Sequence, residues 1–571
     1  MIRSPEELTG QTFDVLVVGG GIHGSMVAWD AALRGLSVAL VERGDFGGAT
    51  SQNSLKIIHG GLRYLPDFSL RRFRLMARER STWLRIAPHL VHPLPFVTPT
   101  YSNLPRSRTA MWIGLKLNDF LSVDRNWGLD TSRSLPGGRV VSRPELEAML
   151  PGLDCERASG GAVWYDAQMY SSERLLLEAV LSATEAGAQV SNYLEAVALL
   201  LHKNAVSGAR VRDRLSGREF EVSARLVINC AGAWIDQLLQ TLGRRNAHSH
   251  YLPSVAINLI VDRVWDRYAV GLPARANRAG TQHSRSPRSK MIFIVPWRDK
   301  SIIGTWHAPW NGPAEDFLLH EDLVREFIDE VNRAHPDLGL AGEDIRYVQH
   351  GFLPVEAGRA EGDRVKLTRE AVTVDHKVED ALDGLISVVG VKYTTSRAAA
   401  AEAVDLALSK LGWDKTPSQT ASTPLWGGDI QDFQGFLSEA KLEAGERLSP
   451  DTVEHLVHTY GSKFRILLDL IDQQPALGEK IYDSLPVTGA EIVHAVRHEM
   501  AQTLLDVVCR RTELGAVGQP PAAALEGCAA LAAGELGWEE ARRKEEIRAV
   551  IQWFDQYRFG ETSPAGGMLY E

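Results

Sequence analysis

Cysteine is scarce in this chain. Only four cysteines occur among 571 residues, and no two of them form a CxxC pair. Neither a disulfide framework nor a zinc site is therefore indicated, and no metal site is expected. The scattered thiols favour a reducing compartment. They are Cys155, Cys230, Cys509 and Cys528.

Long apolar runs and an excess of positive charge are also lacking. No stretch reaches the ~18 apolar residues of a membrane span. The first apolar segment, 13–18, directly follows a polar leader, so no signal peptide is expected. The chain has 62 Lys and Arg against 72 Asp and Glu, a net charge of −10. Nucleic-acid-binding domains usually carry a basic excess, so that class is set aside. We expect a cytoplasmic protein.

The chain has an ordinary globular composition. Hydrophobic residues make up 44% and charged residues 23%, which excludes a disordered chain, a fibre and a coiled-coil rod. At roughly 100–200 residues per domain, the length predicts about three or four structural units.

A βαβ unit stands near the beginning. Residues 13–18 form a short apolar run that is typical of a buried parallel strand, and a glycine-rich turn follows at 19–24. A helix is predicted over 25–33 and a second strand over 37–41, and Glu42 directly follows that strand. Such a unit is the core of a doubly wound α/β sheet.

The glycine spacing Gly19-x-Gly21-x-x-Gly24 indicates a dinucleotide site. Gly19 permits the tight turn, Gly21 lets the backbone approach a pyrophosphate, and Gly24 lets the helix pack closely on the strand. The helix N-terminus then holds the phosphates. Glu42 is expected to bind ribose hydroxyls. The motif itself does not distinguish NAD from FAD.

Further along, the pattern changes twice. Residues 226–232 and 385–390 read as two more buried strands, and a helix is predicted over 397–411. Residues 251–310 show short alternating runs that predict an antiparallel second layer. A polar, proline-bearing linker at 414–424 precedes a helical domain over 425–571.

Residues 49–65 (ATSQNSLKIIHGGLRYL) look like the signature of FAD-dependent glycerol-3-phosphate dehydrogenases. The resemblance extends over the whole chain. It includes 80–89 (RSTWLRIAPH), 389–397 (VGVKYTTSR), 498–501 (HEMA) and 510–515 (RRTELG).

This resemblance implies three parts: an FAD-binding doubly wound domain, an antiparallel-sheet substrate domain and a C-terminal all-helical domain. We expect an oxidoreductase region over 1–413. Its FAD-binding segments are predicted at 13–100, 155–235 and 345–413, and its substrate-binding segments at 101–154 and 236–344.

The resemblance also implies the cofactor, FAD, and residues that hold it. Thr50, Ser51, Ser54 and Gly61 would line the flavin. Ala231 and Gly232 would add a second backbone contact. Gly390 and Thr394 would lie beside the flavin ring.

Three basic residues are predicted at the reaction centre. Lys392 precedes the helix that starts near Thr394, and its ammonium would favour negative charge on the flavin. The matching family lysine also approaches the substrate oxygens. Arg63 and Arg369 match family arginines beside the substrate, and Arg63 would grip its phosphate. The alternative is a surface lysine and two structural ion-pair partners.

Two departures from the family pattern concern the substrate pocket. The family usually has an arginine before the proline of its Gly-x-Arg-Pro turn, and Leu353 stands there in 351–354 (GFLP). A family histidine near the reacting carbon is absent from 254–259 (SVAINL), where Asn258 is found. The substrate is therefore expected to differ in its polar tail, or to carry a bulkier group beside Leu353 and Trp306.

The missing histidine leaves the catalytic base open. His307 is the first candidate because it follows a predicted strand of the substrate layer, and His350 is the second. An imidazole ordinarily titrates near pH 6.5, which suits a base. Each of them could instead be structural.

We therefore predict an FAD-dependent dehydrogenase that oxidises a secondary alcohol of a small polyol or polyol phosphate to a ketone. A flavin enzyme for a nonphosphorylated hydroxy or amino compound is one alternative, and a non-catalytic FAD-binding protein is another. Quinone or oxygen would accept the electrons. Peripheral contact with the cytoplasmic membrane stays open, because residues 71–85 form a basic helical stretch and residues 111–117 an amphipathic segment. A homodimer is also left open.

Overall fold

The protein is described here by a computed structural model, which covers residues 1–62, 69–103, 106–243, 251–275, 291–310, 312–356 and 370–559. Two large sheets pack with helices, and a mostly helical C-terminal region covers one side of both. This arrangement agrees with the predicted fold class.

The first sheet is the doubly wound one. Its strand order is β16-β17-β10-β1-β2-β7, and the pairs from β17 to β7 are parallel. The hairpin β8–β9 extends β10, and β16 lies antiparallel at one edge. The strands are β1 (Thr12–Val18), β2 (Val38–Val41), β7 (Gln189–Ser191), β8 (Leu194–His202), β9 (Ala205–Asp213), β10 (Glu219–Asn229), β16 (Val372–Asp375) and β17 (Leu385–Val389).

The first helix, α1 (Ile22–Leu33), begins three residues before its predicted start. Gly21 is its N-cap, with an extended backbone at φ −75° and ψ 178°. The helix therefore starts directly from the glycine turn, and Gly24 lies inside it. A Cβ at Gly24 would come within 1.9 Å of the Gly19 carbonyl oxygen, so this position accepts only glycine without a backbone shift.

The second sheet is antiparallel except for one parallel pair, β12 with β4. Its order is β15-β11-β14-β13-β12-β4-β6-β3, with β5 paired to β6. The strands are β3 (Ile57–Ile58), β4 (Val91–Thr100), β5 (Arg139–Ser142), β6 (Gly160–Met169), β11 (Tyr251–Asp262), β12 (Ala269–Pro273), β13 (Met291–Trp297), β14 (Lys300–Pro309) and β15 (Ile345–Glu356).

This sheet crosses the predicted segment boundaries. β4, β6 and β15 lie in segments that the sequence analysis assigned to FAD binding, yet each is a strand of the second sheet. β4 and β6 pair over ten residues, and β15 pairs along β11. Such pairing joins residues far apart in the chain, and no local pattern reports it.

The helices of the first two layers surround these sheets. After α1 they are α2 (Leu70–Ile86), α3 (Arg108–Leu121), α4 (Arg143–Met149), α5 (Ser172–Glu185), α6 (Ile235–Gln240), α7 (Glu321–Ala334), α8 (His376–Glu379) and α9 (Ser396–Leu411). None of the helices in the described part of the chain is both long and apolar enough to cross a membrane.

The C-terminal region is mostly helical, as predicted. A short hairpin, β18 (Lys480–Tyr482) with β19 (Leu485–Thr488), interrupts the helices. The apolar core of the C-terminal region is continuous with that of the first sheet, since Phe433, Leu456 and Val493 share a cluster with Val27 and Leu176. The helices are α10 (Phe433–Ala444), α11 (Pro450–Tyr460), α12 (Arg465–Gln473), α13 (Gly489–His498), α14 (Leu504–Asp506), α15 (Ala522–Leu536) and α16 (Glu540–Asp555), and a π-helical turn spans Val507–Arg511.

The predicted linker is held against the first domain. Thr420 is fully buried and accepts a hydrogen bond from Arg397 Nη1 at 3.1 Å. Arg34 Nη1 donates to the Thr416 carbonyl at 3.1 Å, and Ser418 hydrogen-bonds Asp30. The polar composition thus serves buried contacts with α1 and α9.

Candidate active site

A cleft of about 2740 Å³ lies between the two sheets. Nearly all predicted site residues within the described part of the chain line it. These are Gly19, Gly21, Glu42, Thr50, Ser51, Ser54, Gly61, Ala231, Gly232, His307, Gly390, Lys392 and Thr394. Gly24 lies beneath the cleft as a packing position, whereas Arg63 and Arg369 fall outside the described residues.

One end of the cleft suits a pyrophosphate. Gly19 has φ +104°, and a Cβ there would meet the Cys230 carbonyl oxygen at 2.7 Å. The turn from β1 into α1 is therefore as tight as the glycine spacing predicted. The N-terminus of α1 faces this end, where its unpaired amides favour an anion.

Glu42 ends β2 beside this turn. Its carboxylate accepts hydrogen bonds from the Gly20 amide at 2.6 Å and the Gly44 amide at 2.8 Å. Burial raises the pKa of this carboxyl, and the two amides oppose that shift. A carboxylate fixed in this way is placed to accept hydrogen bonds from ribose hydroxyls.

Residues 50–54 form the adjoining wall and are tied on two sides. Ser51 Oγ accepts a hydrogen bond from the Ile22 amide at 3.1 Å, at the start of α1. Thr50 Oγ1 donates to the Phe352 carbonyl at 3.0 Å and accepts from its amide at 2.9 Å. The segment therefore joins both sheets at the place where the resemblance puts the flavin.

His23 was missed by the sequence analysis. It is the variable residue before Gly24, and its Nε2 is buried with no hydrogen-bond partner among the described residues. A Cβ on Gly390 would lie 2.0 Å from this atom, so the imidazole edge sits against the turn after β17. Burial lowers the pKa of His23 to about 4, which keeps it neutral at pH 7. An orphaned ring nitrogen at the cleft wall fits a cofactor rich in polar groups.

Lys392 lies on the turn between β17 and α9. This helix has Thr395 as its N-cap, whose side chain makes no capping hydrogen bond. Thr394 is buried and holds the turn in place, since its Oγ1 accepts from the His59 amide at 3.2 Å and its carbonyl accepts from Trp83 Nε1 at 3.0 Å. A lysine and a helix N-terminus thus place positive charge at one wall of the cleft.

The opposite wall is a row of residues across the second sheet. Ala256 of β11 pairs with His307 of β14 and with Gly351 of β15, so all three point to one face. A Cβ on Gly351 would lie 3.0 Å from Thr50, which identifies this face as the one toward the flavin segment. Leu353, two residues beyond Gly351, points the same way.

Asn258 replaces the family histidine on this face. Its Nδ2 donates to the Asn53 carbonyl at 3.1 Å, and its Oδ1 accepts from Thr305 Oγ1 at 3.0 Å. Asn258 is only 2% exposed. The amide joins the flavin segment to two strands of the second sheet, and an amide cannot act as a base at neutral pH.

His350 and Trp306 lie on the other face, where both pair with Ile257. His350 stacks on Tyr557 with ring centroids 4.9 Å apart, and Trp306 is fully buried against Phe327. His350 thus lies on the face of the sheet opposite His307, although it also lines the cleft, and its role as a base stays a prediction. Trp306 is not among the described residues that line the cleft. Side chains alternate between the two faces of a strand, which separates these residues from His307. Which residues face which side is shown only by the strand pairing.

The burial of His350 is expected to make the stability of the protein depend on pH. Burial lowers its pKa to about 4. Above pH 6.5 the imidazole is neutral in both the folded and unfolded chain, so it has no effect there. As the pH falls toward 4, the unfolded chain takes up the proton first, and the free energy of unfolding decreases. His350→Phe keeps the stacking and should be less acid-sensitive than the parent by about 2 kcal/mol at pH 5 relative to pH 7.

Urea unfolding at both pH values measures this difference. His202→Gln, at an exposed site on β8, is the control and should keep the parental pH dependence. An equal loss of stability in the parent and in His350→Phe would contradict the assignment.

A glycine turn with a paired carboxylate, a flavin segment bridging two sheets and a lysine beside a helix N-terminus define an FAD-dependent oxidoreductase. Comparison with known proteins agrees. Residues 14–406 match the FAD dependent oxidoreductase family, and residues 418–543 match the C-terminal domain of alpha-glycerophosphate oxidase. The chain belongs to the FAD-dependent glycerol-3-phosphate dehydrogenase family, and its cofactor is FAD.

Relatives match along nearly the whole chain. The glycerol-3-phosphate dehydrogenase of Synechocystis is 32% identical over 97% of this chain and 98% of its own. The human mitochondrial glycerol-3-phosphate dehydrogenase is 30% identical over 96% of this chain and 74% of its own. The glycerol-3-phosphate dehydrogenase of Bacillus halodurans, solved with FAD, has a TM-score of 0.72 at 23% identity and covers 96% of both chains.

Proposed function

We propose that this enzyme oxidises the secondary alcohol of glycerol 3-phosphate, or of a closely similar polyol phosphate, to a ketone. The observation that carries the proposal is the placement of Lys392 and His307 on opposite walls of one cleft. The names of the relatives supply the substrate, and the family resemblance adds Arg63 as a ligand of its phosphate and Arg369 as a second arginine near the substrate.

Bound FAD would supply the acceptor for the hydride that leaves the alcohol carbon. The imidazole of His307 takes the hydroxyl proton, and the Lys392 ammonium stabilises negative charge that develops on the oxygen and at the acceptor. The two sheets hold these groups on separate walls, so a substrate would lie between them. Ser54, Gly61, Ala231 and Gly232 line the same cleft and are proposed as cofactor contacts.

A nonphosphorylated hydroxy compound is the second candidate substrate, and Leu353 is the observation that favours it. Its side chain points into the cleft where the family has an arginine. An aliphatic group there offers no charge to a phosphate and would suit an apolar or uncharged tail.

Anaerobic bleaching of the bound flavin tests the proposal. Glycerol 3-phosphate should bleach the flavin rapidly, whereas glycerol should not. Bleaching by glycerol or by another uncharged alcohol alone would favour the second candidate. No bleaching by any alcohol, with FAD bound and the protein folded, would overturn both and indicate a non-catalytic flavoprotein. Admitting oxygen or a soluble quinone afterwards identifies the electron acceptor.

We further propose that the enzyme is cytoplasmic and contacts the membrane surface, where quinone is found. The helix α3 exposes Trp112, Ile113, Leu117 and Phe120 by 43–77%. The arginines of α2 support this less, because Arg74 and Arg80 form ion pairs with Asp124 and Asp166. Sedimentation with phospholipid vesicles checks the contact, and Phe120→Glu should weaken it. A homodimer stays a prediction.

A further inference from the structure

The C-terminal motif at 510–515 reaches into the first domain. Arg511 forms a two-pronged ion pair with Asp45, with Nη1 2.7 Å from Oδ2 and Nη2 2.7 Å from Oδ1. Arg510 Nε donates to Oδ2 at 2.6 Å, and Asn192 Nδ2 donates to Oδ1 at 2.9 Å. We call these four residues the Asp45 cluster.

The cluster is enclosed and complete. The side chains of Asp45 and Arg511 are both 0% exposed. Burial would raise the pKa of the Asp45 carboxyl, but the two guanidinium groups hold it well below its usual range. Four hydrogen bonds satisfy both carboxylate oxygens. Removal of one partner therefore leaves buried charge without compensation, which is more damaging than loss of a surface ion pair.

Asp45 lies in a part of the chain that lines the FAD cleft. It is three residues after Glu42 and five before Thr50, in a segment without regular secondary structure. Backbone hydrogen bonds hold this segment against its neighbours. The Glu42 amide donates to the Ser191 carbonyl at 3.0 Å, and the Glu42 carbonyl accepts from the Leu194 amide at 2.7 Å. The Gly44 carbonyl accepts from the Tyr193 amide at 2.7 Å, and the Gly47 amide donates to the Gly20 carbonyl at 3.0 Å. All of these backbone partners belong to the first domain, whereas the buried side chain of Asp45 joins the segment to the C-terminal region.

The two arginines are themselves fixed within the C-terminal region. Arg510 Nη2 pairs with Asp506 at 2.6 Å, and Asp506 also accepts from Tyr193 at 2.6 Å. Arg511 Nε donates to the Glu499 carbonyl at 3.0 Å. The C-terminal region thus presents two fixed guanidinium groups to the cofactor segment.

We propose that Arg510 and Arg511, acting through Asp45, are positioning residues that hold segment 42–51 in its FAD-binding conformation. The C-terminal domain then completes the cofactor site, and its docking is coupled to FAD affinity. The proposal concerns FAD binding alone and is independent of the substrate.

The dissociation constant of FAD, measured by reconstituting the apoprotein, tests the proposal. Arg511→Lys keeps the charge but loses the two-pronged geometry, and Asp45→Asn removes the carboxylate charge. Each should raise the Kd of FAD by about 5–150-fold. Each should also reduce the rise in Tm that saturating FAD produces, because weaker binding stabilises the folded state less.

Glu513→Gln is the matched control. Glu513 lies in the same motif and pairs with Arg298, on the turn between β13 and β14, with side chains 10% and 13% exposed. This variant loses a comparable buried ion pair without touching segment 42–51. Its Tm should fall, while its Kd for FAD should stay within about twofold of the parent.

Equal Kd values for FAD in Arg511→Lys, Asp45→Asn and Glu513→Gln would overturn the proposal, because the cluster would then contribute only to stability. Where the variants fail to fold, hydrogen exchange of the parent decides. Coupling is reciprocal, so FAD should slow amide exchange over 499–511 as well as over 42–51. Unchanged amide exchange over 499–511 on addition of FAD would also overturn the proposal.

Discussion

Lys392→Met is expected to slow the anaerobic reduction of bound FAD by glycerol 3-phosphate by about a hundred- to a thousandfold. The proposed role of the ammonium is to stabilise negative charge that develops in the reaction, and a group that acts mainly in the transition state affects kcat more than KM. Stopped-flow measurement of flavin bleaching gives the rate directly.

Two comparison variants separate charge from folding. Lys392→Arg keeps the charge and should recover part of the rate. Lys441→Met, which breaks an ion pair with Glu454 on the far C-terminal helices, should reduce flavin at the parental rate. The flavin content of each variant is measured first. A Lys392→Met enzyme that retains FAD and is reduced within about threefold of the parental rate would remove Lys392 from the reaction.

Leu353→Arg is expected to improve the use of glycerol 3-phosphate. One charge-assisted hydrogen-bonded contact contributes about 1.5–3 kcal/mol, which corresponds to a roughly ten- to hundredfold lower KM. Leu353 lines the cleft on the same face as His307, so an arginine there would bring its charge into the cleft. Its side chain is only partly buried, and the larger group has space to enter.

Leu442→Arg adds the same charge at a site that is 82% exposed in the C-terminal region and should leave KM unchanged. The comparison also distinguishes the substrates. If Leu353→Arg weakens the use of the natural substrate while glycerol 3-phosphate gains nothing, the cleft is adapted to an uncharged tail. The second candidate function would then replace the first.

The cofactor site was largely predictable because its signals are local. The glycine spacing, the strand before it and Glu42 after the next strand all fall within one βαβ unit, whose geometry follows from short-range sterics and hydrogen bonding. The same holds for the turn before α9. His23 was not predicted as a site residue, because it occupies a variable position of the glycine motif. Its place in the site depends on its contact with the turn after β17.

The substrate wall was less predictable because it depends on pairing between distant strands. The sequence offered His307 and His350 as first and second candidates for the base, without showing on which face of the sheet either lies. Only the register of β11 with β14 and β15 places one toward the flavin segment and the other against Tyr557. A shift of one residue would exchange them, and nothing within either strand reports that choice.

By itself, the sequence determined the doubly wound fold, the FAD site and the family, since these rest on short motifs whose chemistry requires particular residues at particular spacings. The tertiary structure decided on which face of the second sheet each histidine lies, which segments build that sheet and what the C-terminal motif contacts. Asp45 and Arg511 are 466 residues apart in the chain. A contact of that range depends on the packing of whole domains, which no local pattern encodes.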